Sequence, residues 1–319
     1  MAVDAAHLTA TPIYRDPRQA LDWLEAAFGF EITTLLTDDQ GAIAHAEMGF
    51  HGARIGVAGP WSGEILGATR MQSPAVLEGQ ATQLCRIDLP KGVDIDAHCA
   101  RARAAGAQIT QAPEDQFYGA RTYRALDLDG HVWTFSQEGR SVSTAEMEAA
   151  TGLKVVMTPD PASPPDAPRS AVTPYVSYAD PAAAYEWLER AFGFEPRIYV
   201  TDDEGGLVHA EMAFRDHTIG VSKAWSERHA VPGEVGGRNT QSVHLQLLQD
   251  IDAHHARTVA AGAEIVRPLE TQAYGDRTYI ALDLEGHIWS FGQTVAPMSV
   301  AEWDDKLGTQ TRLRPSEIR

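Results

Sequence analysis

The alternation of apolar and polar residues predicts the same order of strands and helices in both halves of the chain. A short apolar strand leads into Asp16 and Pro17, where aspartate can cap a helix and proline can occupy its first position. Leucines and Phe28 then recur at helical spacing, and Gly29 can take the left-handed conformation that ends a helix. Residues 180–193 follow the same pattern. The pattern predicts a strand and a helix at the start of each half.

A hairpin is predicted after each of these helices. LLTDDQGAIAHAEMGF (35–50) and YVTDDEGGLVHAEMAF (199–214) both read as a strand, an Asp/Gly turn and a strand with alternating faces,. A third strand containing Ile55 or Ile219 follows, and the order strand, helix, three strands then recurs. Each half is therefore predicted to contain two βαβββ units.

Repeated motifs define the two copies. AFGFE at Ala27 recurs at Ala191, and HAEM at His45 recurs at His209 with the same spacing. Later matches, such as Y-G-x-R-T-Y, have a spacing eight residues shorter. We therefore expect an insertion in the first copy, with its segment GEILGATRMQSPAVLEGQ (63–80) forming a loop.

Proline-rich sequence separates the copies. TPDPASPPDAPRS (158–170) disfavours helix and sheet and is typical of a semi-rigid spacer,. We assign residues 1–150 to a first domain, 151–171 to the linker, and 172–319 to a second domain with a C-terminal tail. Ser-x-x-Glu capping boxes at 143–146 and 299–302 predict a short helix after each copy,.

Composition narrows the class of partner. The 319 residues are 44% apolar and 22% charged, with a formal net charge of −18, which disfavours nucleic acid and anionic membranes and mildly favours cationic or neutral ligands. Cys85 and Cys99 form no C-x-x-C pair and are predicted to be core thiols in a reducing compartment,. Because the sequence contains neither a signal-peptide pattern nor a membrane-span pattern, we expect a cytoplasmic location.

These motifs together resemble the vicinal oxygen chelate superfamily, which includes glyoxalase I, bleomycin-resistance proteins and extradiol dioxygenases. The resemblance rests on A-F-G-F-E, G-x-x-x-H-A-E-M, and Y-G-x-R followed by D-x-x-G-H-x-W, and it spans residues 9–137 and 173–293. It implies an α+β fold of tandem domains, each of two βαβββ units forming a cup-shaped mixed sheet. It also implies that the copies pack as an intrachain pseudo-dimer. Fold alone does not determine function.

Members of this family usually hold a divalent metal through one ligand on the first strand and others in the second unit. At the first-strand positions this sequence has Thr9 and Thr173, and at the second-unit position it has Arg86 in one copy and His244 in the other. Thr134 and Ser290 stand where a glutamate is expected. Arginine cannot coordinate a cation, and a metal needs three or four convergent ligands. The sequence thus predicts no metal or other cofactor, with an unusual divalent-metal site at His209, Glu211 and His244 as an alternative.

The His-Ala-Glu motif is the first candidate site. His45 and Glu47, like His209 and Glu211, lie two apart on a strand and face the same side,. They are candidate ligand-binding residues in the first copy and catalytic residues in the second, where imidazole and carboxylate can work as a general base. The alternative is a structural polar ladder.

Further candidates lie in the Y-G-x-R motif. Tyr118 and Arg121 are candidate ligand-binding residues, and Tyr274 and Arg277 are candidate catalytic residues, because a glycine turn allows close approach of a ligand. Each arginine has two interpretations: a partner for a ligand oxygen, or an ion pair with the His-Ala-Glu motif.

Two tryptophans are candidate aromatic lids. Trp61 and Trp225 each follow a third strand at the start of a polar loop, whereas Trp133 and Trp289 are better explained as core.

Three functions follow as hypotheses. The first is a small-molecule-binding protein without the usual metal, for example in resistance or sequestration. The second is a lyase or isomerase of glyoxalase type that uses His209, Glu211, His244, Tyr274 and Arg277 in the second domain. The third is a structural module without a ligand. The partner expected is a small molecule rather than nucleic acid or membrane, and a further homodimer is left open.

Overall fold

The computed structural model of the chain describes residues 7–63, 66–157 and 171–313. The predicted spacer at 158–170 lies outside the described residues. Elements of the first unit are, in chain order, β1 (His7–Pro12), α1 (Pro17–Phe28), β2 (Glu31–Thr37), β3 (Ile43–Phe50) and β4 (Ala53–Gly56).

The insertion of the first copy is not a plain loop. It contains β5 (Trp61–Gly63) and β6 (Gly67–Met71), which pair antiparallel, and a 3₁₀ turn at Pro74–Val76. The prediction of a loop was wrong because Leu66 and Met71 are buried with Ile13, Ile280, Leu282 and Ile288 in an apolar cluster. The segment is thereby anchored against another part of the fold.

The second unit completes the first copy. Its elements are β7 (Gln83–Leu89), α2 (Ile95–Ala104), β8 (Gln108–Asp115), β9 (Ala120–Leu126) and β10 (Val132–Glu138). A C-terminal arm follows, consisting of α3 (Thr144–Thr151) and β11 (Lys154–Met157).

The second copy repeats this order. Its first unit is β12 (Val172–Tyr178), α4 (Pro181–Phe192), β13 (Glu195–Thr201), β14 (Leu207–Phe214) and β15 (His217–Lys223). A 3₁₀ turn at Pro232–Val235 and β16 (Arg238–Asn239) lead to β17 (Gln241–Leu247), α5 (Ile251–Ala260), β18 (Glu264–Thr271), β19 (Asp276–Leu282) and β20 (Ile288–Thr294). The second arm is α6 (Val300–Leu307) and β21 (Gln310–Arg312).

Within the described residues, these strands form two nine-stranded mixed sheets and one small three-stranded sheet. The order in the first sheet is β18-β19-β20-β17-β1-β4-β3-β2-β21, and in the second it is β11-β13-β14-β15-β12-β7-β10-β9-β8. Each large sheet thus joins one unit of the first copy to one unit of the second, through β1 with β17 and through β12 with β7. The predicted α+β fold of tandem domains is confirmed, and the sheets are shared between the copies.

The hydrophobic cores, in contrast, follow the copies. One buried cluster is built almost entirely from the first copy and includes Leu21 of α1, Cys99 of α2 and Trp133 of β10. The second cluster is its counterpart, with Leu188, Trp289 and Phe291. Alternate strand residues face these cores and the helices. We call that side of each sheet the helix face and the opposite side the polar face.

Helix ends form as predicted from sequence. The Asp16 carboxylate accepts a hydrogen bond from the Gln19 amide at 3.1 Å, and Gly29 ends α1 with φ of 81°. Capping boxes are complete at Ser143 with Glu146, and the same motif caps α6. Because these bonds satisfy amides that the helix leaves free, local sequence is sufficient to place the helix starts.

Reciprocal contacts join the copies at their centre. The Thr82 amide donates to Oγ1 of Thr240 at 3.0 Å, and the Thr240 amide donates to Oγ1 of Thr82 at 3.1 Å. Gln83 and Gln241 also contact each other through their side chains at 3.1 Å. Equivalent residues that exchange equivalent bonds are the signature of a two-fold interface, here within one chain.

Candidate functional site

The polar face of each sheet brings together the positions that the family resemblance singled out. In the first sheet Thr9 lies opposite His244, and His244 lies beside Ser290. In the second sheet the corresponding neighbours are Thr173, Arg86 and Thr134. Each centre therefore takes its residues from both copies, and the two centres differ in chemistry.

His244 is held by side-chain hydrogen bonds on both ring nitrogens. Nδ1 lies 3.1 Å from Oγ of Ser290, and Nε2 lies 3.1 Å from Oε1 of Gln246. The Gln246 amide nitrogen donates to Thr294 at 3.1 Å and to Asp276 at 3.5 Å, so its oxygen accepts a hydrogen bond from Nε2–H. Burial lowers the pKa of His244. The ring is thus a neutral, oriented imidazole.

Thr9 lies directly across from this imidazole. Its side chain is 4% exposed, and within the described part of the chain its Oγ1 has no hydrogen-bond partner. A buried hydroxyl without a partner loses the hydrogen bonds that water would supply. The Thr9 hydroxyl is therefore an unsatisfied buried polar group at the centre of the first sheet.

Glu47 and His45 lie on the same polar face, as their spacing predicted. Nε2 of His45 is 3.6 Å from the Glu47 carboxylate, whose other oxygen is 3.7 Å from Arg54 and accepts from Thr34 at 3.2 Å. Burial opposes ionisation, but the bond from His45 and the charges of His45 and Arg54 lower the pKa of Glu47 to about 2. Glu47 is therefore an anion in a polar ladder.

In the second sheet the equivalent carboxylate is more tightly held. Glu211 accepts from the Tyr175 hydroxyl at 2.8 Å and lies 3.7 Å from Arg86 and 3.8 Å from His209. Burial opposes ionisation here too, and His209, Arg86 and Tyr175 together lower the pKa of Glu211 to about 2. Tyr175 stands over Gly220, where an added Cβ would lie 2.0 Å from the ring. The absence of a side chain at Gly220 thus makes room for the phenol.

Arg86 occupies the middle of this second centre. Its guanidinium is 2.9 Å from Asp88 and 3.7 Å from Glu211, so it lies between two carboxylates. Although burial opposes the charge, Tyr175 and these carboxylates raise the pKa of Arg86. Arg86 therefore stays protonated, and its charge is balanced by Asp88 and Glu211.

Aromatic side chains border the second centre. Trp225 is 47% exposed, and Cζ of Arg124 lies 4.2 Å from its ring centroid. The His229 ring packs 4.1 Å from the same indole. Tyr118 is 36% exposed. Burial raises the pKa of its phenol, and the charges of Arg86 and Arg124 act in the opposite direction. Two of the predicted ligand-binding residues, Tyr118 and Trp225, are therefore near each other on one polar face.

The predicted catalytic set of the second domain is not brought together. His209 and Glu211 lie in the second sheet, whereas His244 lies in the first. Tyr274 belongs to the β18–β19 turn of the first sheet, where burial raises its pKa and its carbonyl accepts from Trp303. These residues are separated because the two βαβββ units of one copy belong to different sheets, each completed by a unit of the other copy.

Both arginines of the Y-G-x-R motif lie on the helix face. Arg121 pairs with Asp96 of α2 at 2.9 Å, and Arg277 pairs with Asp252 of α5 at 2.7 Å. The predicted ion pair with His-Ala-Glu was wrong, and so was the placement of these arginines in a cup. Strand alternation explains the error, since Arg121 shares its face with the buried Tyr123.

Trp61 lies in β5 opposite Met71 and is 44% exposed. The segment that carries it covers the apolar end of the first sheet's polar face through Leu66 and Met71. Trp133 and Trp289 are core, as predicted, and each indole donates to a buried aspartate.

The residues present do not fit the divalent metal that the fold family implies. In the first sheet the ligand positions hold Thr9, Ser290 and one strong ligand, His244, whereas a metal needs three or four convergent ligands. In the second sheet Arg86 places a positive charge where a ligand would stand. Among residues 7–63, 66–157 and 171–313, no three His, Cys, Asp or Glu side chains are grouped to hold a metal ion. The unusual site at His209, Glu211 and His244 is excluded by their separation between sheets.

Sequence reasoning missed Arg124, Tyr175 and Asp88 as site residues. Arg124 lies between Tyr123 and Ala125, which are both buried in the core, so alternation alone would have placed it on the polar face. Its equivalent in the second copy is Ile280. Comparing the copies position by position for such differences would have found it.

Comparisons with known proteins agree with this architecture. The profile of the Glyoxalase/Bleomycin resistance protein/Dioxygenase superfamily matches residues 7–135 and 172–291. The chain therefore belongs to this superfamily, as a tandem member. An uncharacterised protein of Mycobacterium tuberculosis is 30% identical over 144 residues, which cover 44% of this chain and 84% of that protein.

Two solved structures share the fold over nearly the whole chain. Glyoxalase I from Zea mays aligns with a TM-score of 0.56 at 11% identity, covering 95% of this chain and 96% of that one. A putative dioxygenase from Bacillus subtilis also has a TM-score of 0.56, at 15% identity, covering 94% and 88%. At these identities the likeness concerns the fold alone.

In the part of the chain that the structure describes, none of the helices is sufficiently long and apolar to span a bilayer.

Proposed function

We propose that this protein binds a small molecule without a metal ion, and that its working site is the polar face of the second sheet. The observation that carries the proposal is the position of Arg86. It stands between Asp88 and Glu211 at the place where the family resemblance puts a metal ligand. A guanidinium stays protonated and repels a divalent cation, so we expect this centre to bind its ligand without a metal.

The surroundings of Arg86 support binding rather than a purely structural role. Trp225 and Tyr118 are exposed on this face, although burying either ring would be favourable. Exposed aromatic rings beside fixed polar groups are typical of small-molecule sites. The Tyr175–Glu211–Arg86 cluster is held by a 2.8 Å hydrogen bond and a 3.7 Å ion pair, so a ligand would meet a preorganised surface.

Metal dependence is tested on protein purified without chelator. Elemental analysis is combined with thermal unfolding in nickel, zinc, manganese and EDTA. We expect no stoichiometric metal and no ion-specific change in Tm. A stoichiometric metal, or a stabilisation by one ion of the size that mass action requires, would overturn the metal-free proposal.

The location of the site is tested with a matched pair of variants, Trp225→Ala and Trp61→Ala. The two tryptophans follow equivalent strands and are similarly exposed. Trp225 stacks on Arg124 of the second sheet, whereas Trp61 pairs with Met71, which packs on the first sheet. Aromatic compounds are screened by thermal shift against the wild type and both variants. We expect stabilisation by a binding compound to be lost in Trp225→Ala and kept in Trp61→Ala. The reverse pattern would move the site to the first sheet.

A second candidate function, a lyase or isomerase of glyoxalase type, is favoured by one observation in the first sheet. His244 is neutral and oriented, with Ser290 and Gln246 on its nitrogens, and a neutral imidazole can remove a proton from a carbon next to a carbonyl. Such a reaction would use His244 without His209 or Glu211. Turnover of an α-keto or α-hydroxy carbonyl compound that survives in His244→Ala would exclude this assignment.

A further inference from the structure

Arg124 is a cation that forms no ion pair with a carboxylate in the described part of the chain. The partly buried guanidinium makes one long hydrogen bond, from Nε to Oγ1 of Thr134 at 3.4 Å, and its carbon stacks 4.2 Å from the Trp225 ring centroid. Among the residues described, no carboxylate forms an ion pair with it. The two terminal nitrogens, which carry four N–H donors, are thus available on the polar face.

The neighbouring charged groups make their own contacts. Glu114 is the carboxylate whose charge acts on Arg124, but its side chain accepts from Gln111 at 2.9 Å and from Gln116 at 3.2 Å. Arg86 is balanced by its own carboxylates. Burial lowers the pKa of Arg124, because a cation out of water without a counter-charge is unfavourable. Tyr118 and Glu114 offset this penalty only in part.

The fold does not require a cation at this strand position. In the other sheet the equivalent residue is Ile280, which is 4% exposed and packs with Leu66 and Met71. The same pairing position thus accommodates an apolar side chain in a well-packed cluster. Because the cation is not needed for folding, a ligand is the better explanation for it.

Resting on the proposed function, we infer that the ligand is an aromatic organic anion, with a carboxylate or a similar two-oxygen group on Arg124 and its ring against Trp225 and Tyr118. The planar guanidinium matches such a group with two parallel hydrogen bonds. His229 packs on the indole and fixes it beside Arg124. The net charge of −18 does not oppose this local contact, since exposed charges farther than about 8 Å are largely screened at physiological salt.

The test uses matched acids and amides. Benzoate, 2-naphthoate and 9-anthroate, with their carboxamides, are titrated into the wild type and into Arg124→Ile, which copies the residue of the other sheet. Arg124→Met is a second variant in case the first folds poorly. Arg121→Gln is the control, because it removes an equal charge from the helix face of the same strand. Circular dichroism verifies the fold of each variant.

We expect a naphthoate-size acid to bind the wild type, with Kd about 10- to 100-fold weaker in Arg124→Ile, as loss of a charge-assisted pair implies. The amide should bind the wild type correspondingly weakly, and Arg121→Gln should bind the acid like the wild type. Raising the salt concentration should weaken the binding of the acid more than the binding of the amide.

Other outcomes separate the two proposals. Equal binding of acid and amide that depends on Trp225 but not on Arg124 would overturn the anion inference and leave the binding site in place. Binding insensitive to both Trp225→Ala and Arg124→Ile would overturn the site itself. Failure of every acid in the series to bind the wild type at millimolar concentration would overturn the assignment to aromatic anions.

Discussion

The contact between Tyr175 and Gly220 provides the sharpest test of how the second-sheet site is built. Gly220 lies opposite Tyr175 in the parallel pair of β12 and β15, and a Cβ there would lie 2.0 Å from Cδ1 of the phenol. Gly220→Ala must therefore displace the ring and break its 2.8 Å hydrogen bond to Glu211. Overpacking typically costs about 1–3 kcal/mol and a lost hydrogen bond about 1 kcal/mol, so we expect a destabilisation of about 2–4 kcal/mol.

A double-mutant cycle separates this contact from other effects of the substitution. In a Tyr175→Ala background the ring is absent, so Gly220→Ala should cost less than about 0.5 kcal/mol, giving a coupling of about 2 kcal/mol. Gly233→Ala is the control, because an added Cβ there meets nothing within 4 Å. The free energy of unfolding is measured in urea by circular dichroism and by tryptophan fluorescence. Equal costs of Gly220→Ala in both backgrounds would refute the proposed packing.

Three further predictions concern stability. The pKa of Glu211 is lowered to about 2, so its ionised form stabilises the fold fully above about pH 4.5. That contribution, about 3 kcal/mol, is lost as the pH falls towards 2. Urea unfolding at pH 5 and pH 3 should therefore show a smaller loss of unfolding free energy in Glu211→Gln than in the wild type. Asp16→Ala should cost about 1 kcal/mol by removing the cap of α1,, and an unchanged Tm would contradict the role of the cap. Asp127→Ala should cost about 3–5 kcal/mol, because Tyr14 and Trp133 donate to that buried carboxylate at 2.7 and 2.9 Å,; a Tm near that of the wild type would exclude this.

Local signals in the sequence were sufficient for the elements and for the repeat. The Asp-Pro helix starts, the Asp/Gly hairpin turns and the capping boxes act within a few residues, so their outcome does not depend on the rest of the fold. Asp38, for example, accepts from the amides of Gln40 and Ala42 in its turn. Cys85 and Cys99, which were predicted to be core thiols because they form no C-x-x-C pair, are both buried.

The composition of each site could not be obtained in this way. Periodicity places His209 and His244 on polar faces, but whether they meet depends on which strands pair at the centre. Pairing of β1 with β17 joins residues far apart in sequence, and no local propensity specifies it. The insertion shows the same limit, since Leu66 and Met71 become buried only because an apolar end of another sheet lies beneath them.

Sharing of each sheet between the copies has an evolutionary consequence. In a symmetric homodimer built this way, every substitution would appear in both sites at once, so the two would have to keep one chemistry. Fusion into a single chain removes that constraint, and position 86 can be arginine while its counterpart 244 is histidine. Arg124 and Ile280 have diverged in the same way. One polypeptide can therefore evolve two separate specificities, although each site still takes its residues from both copies.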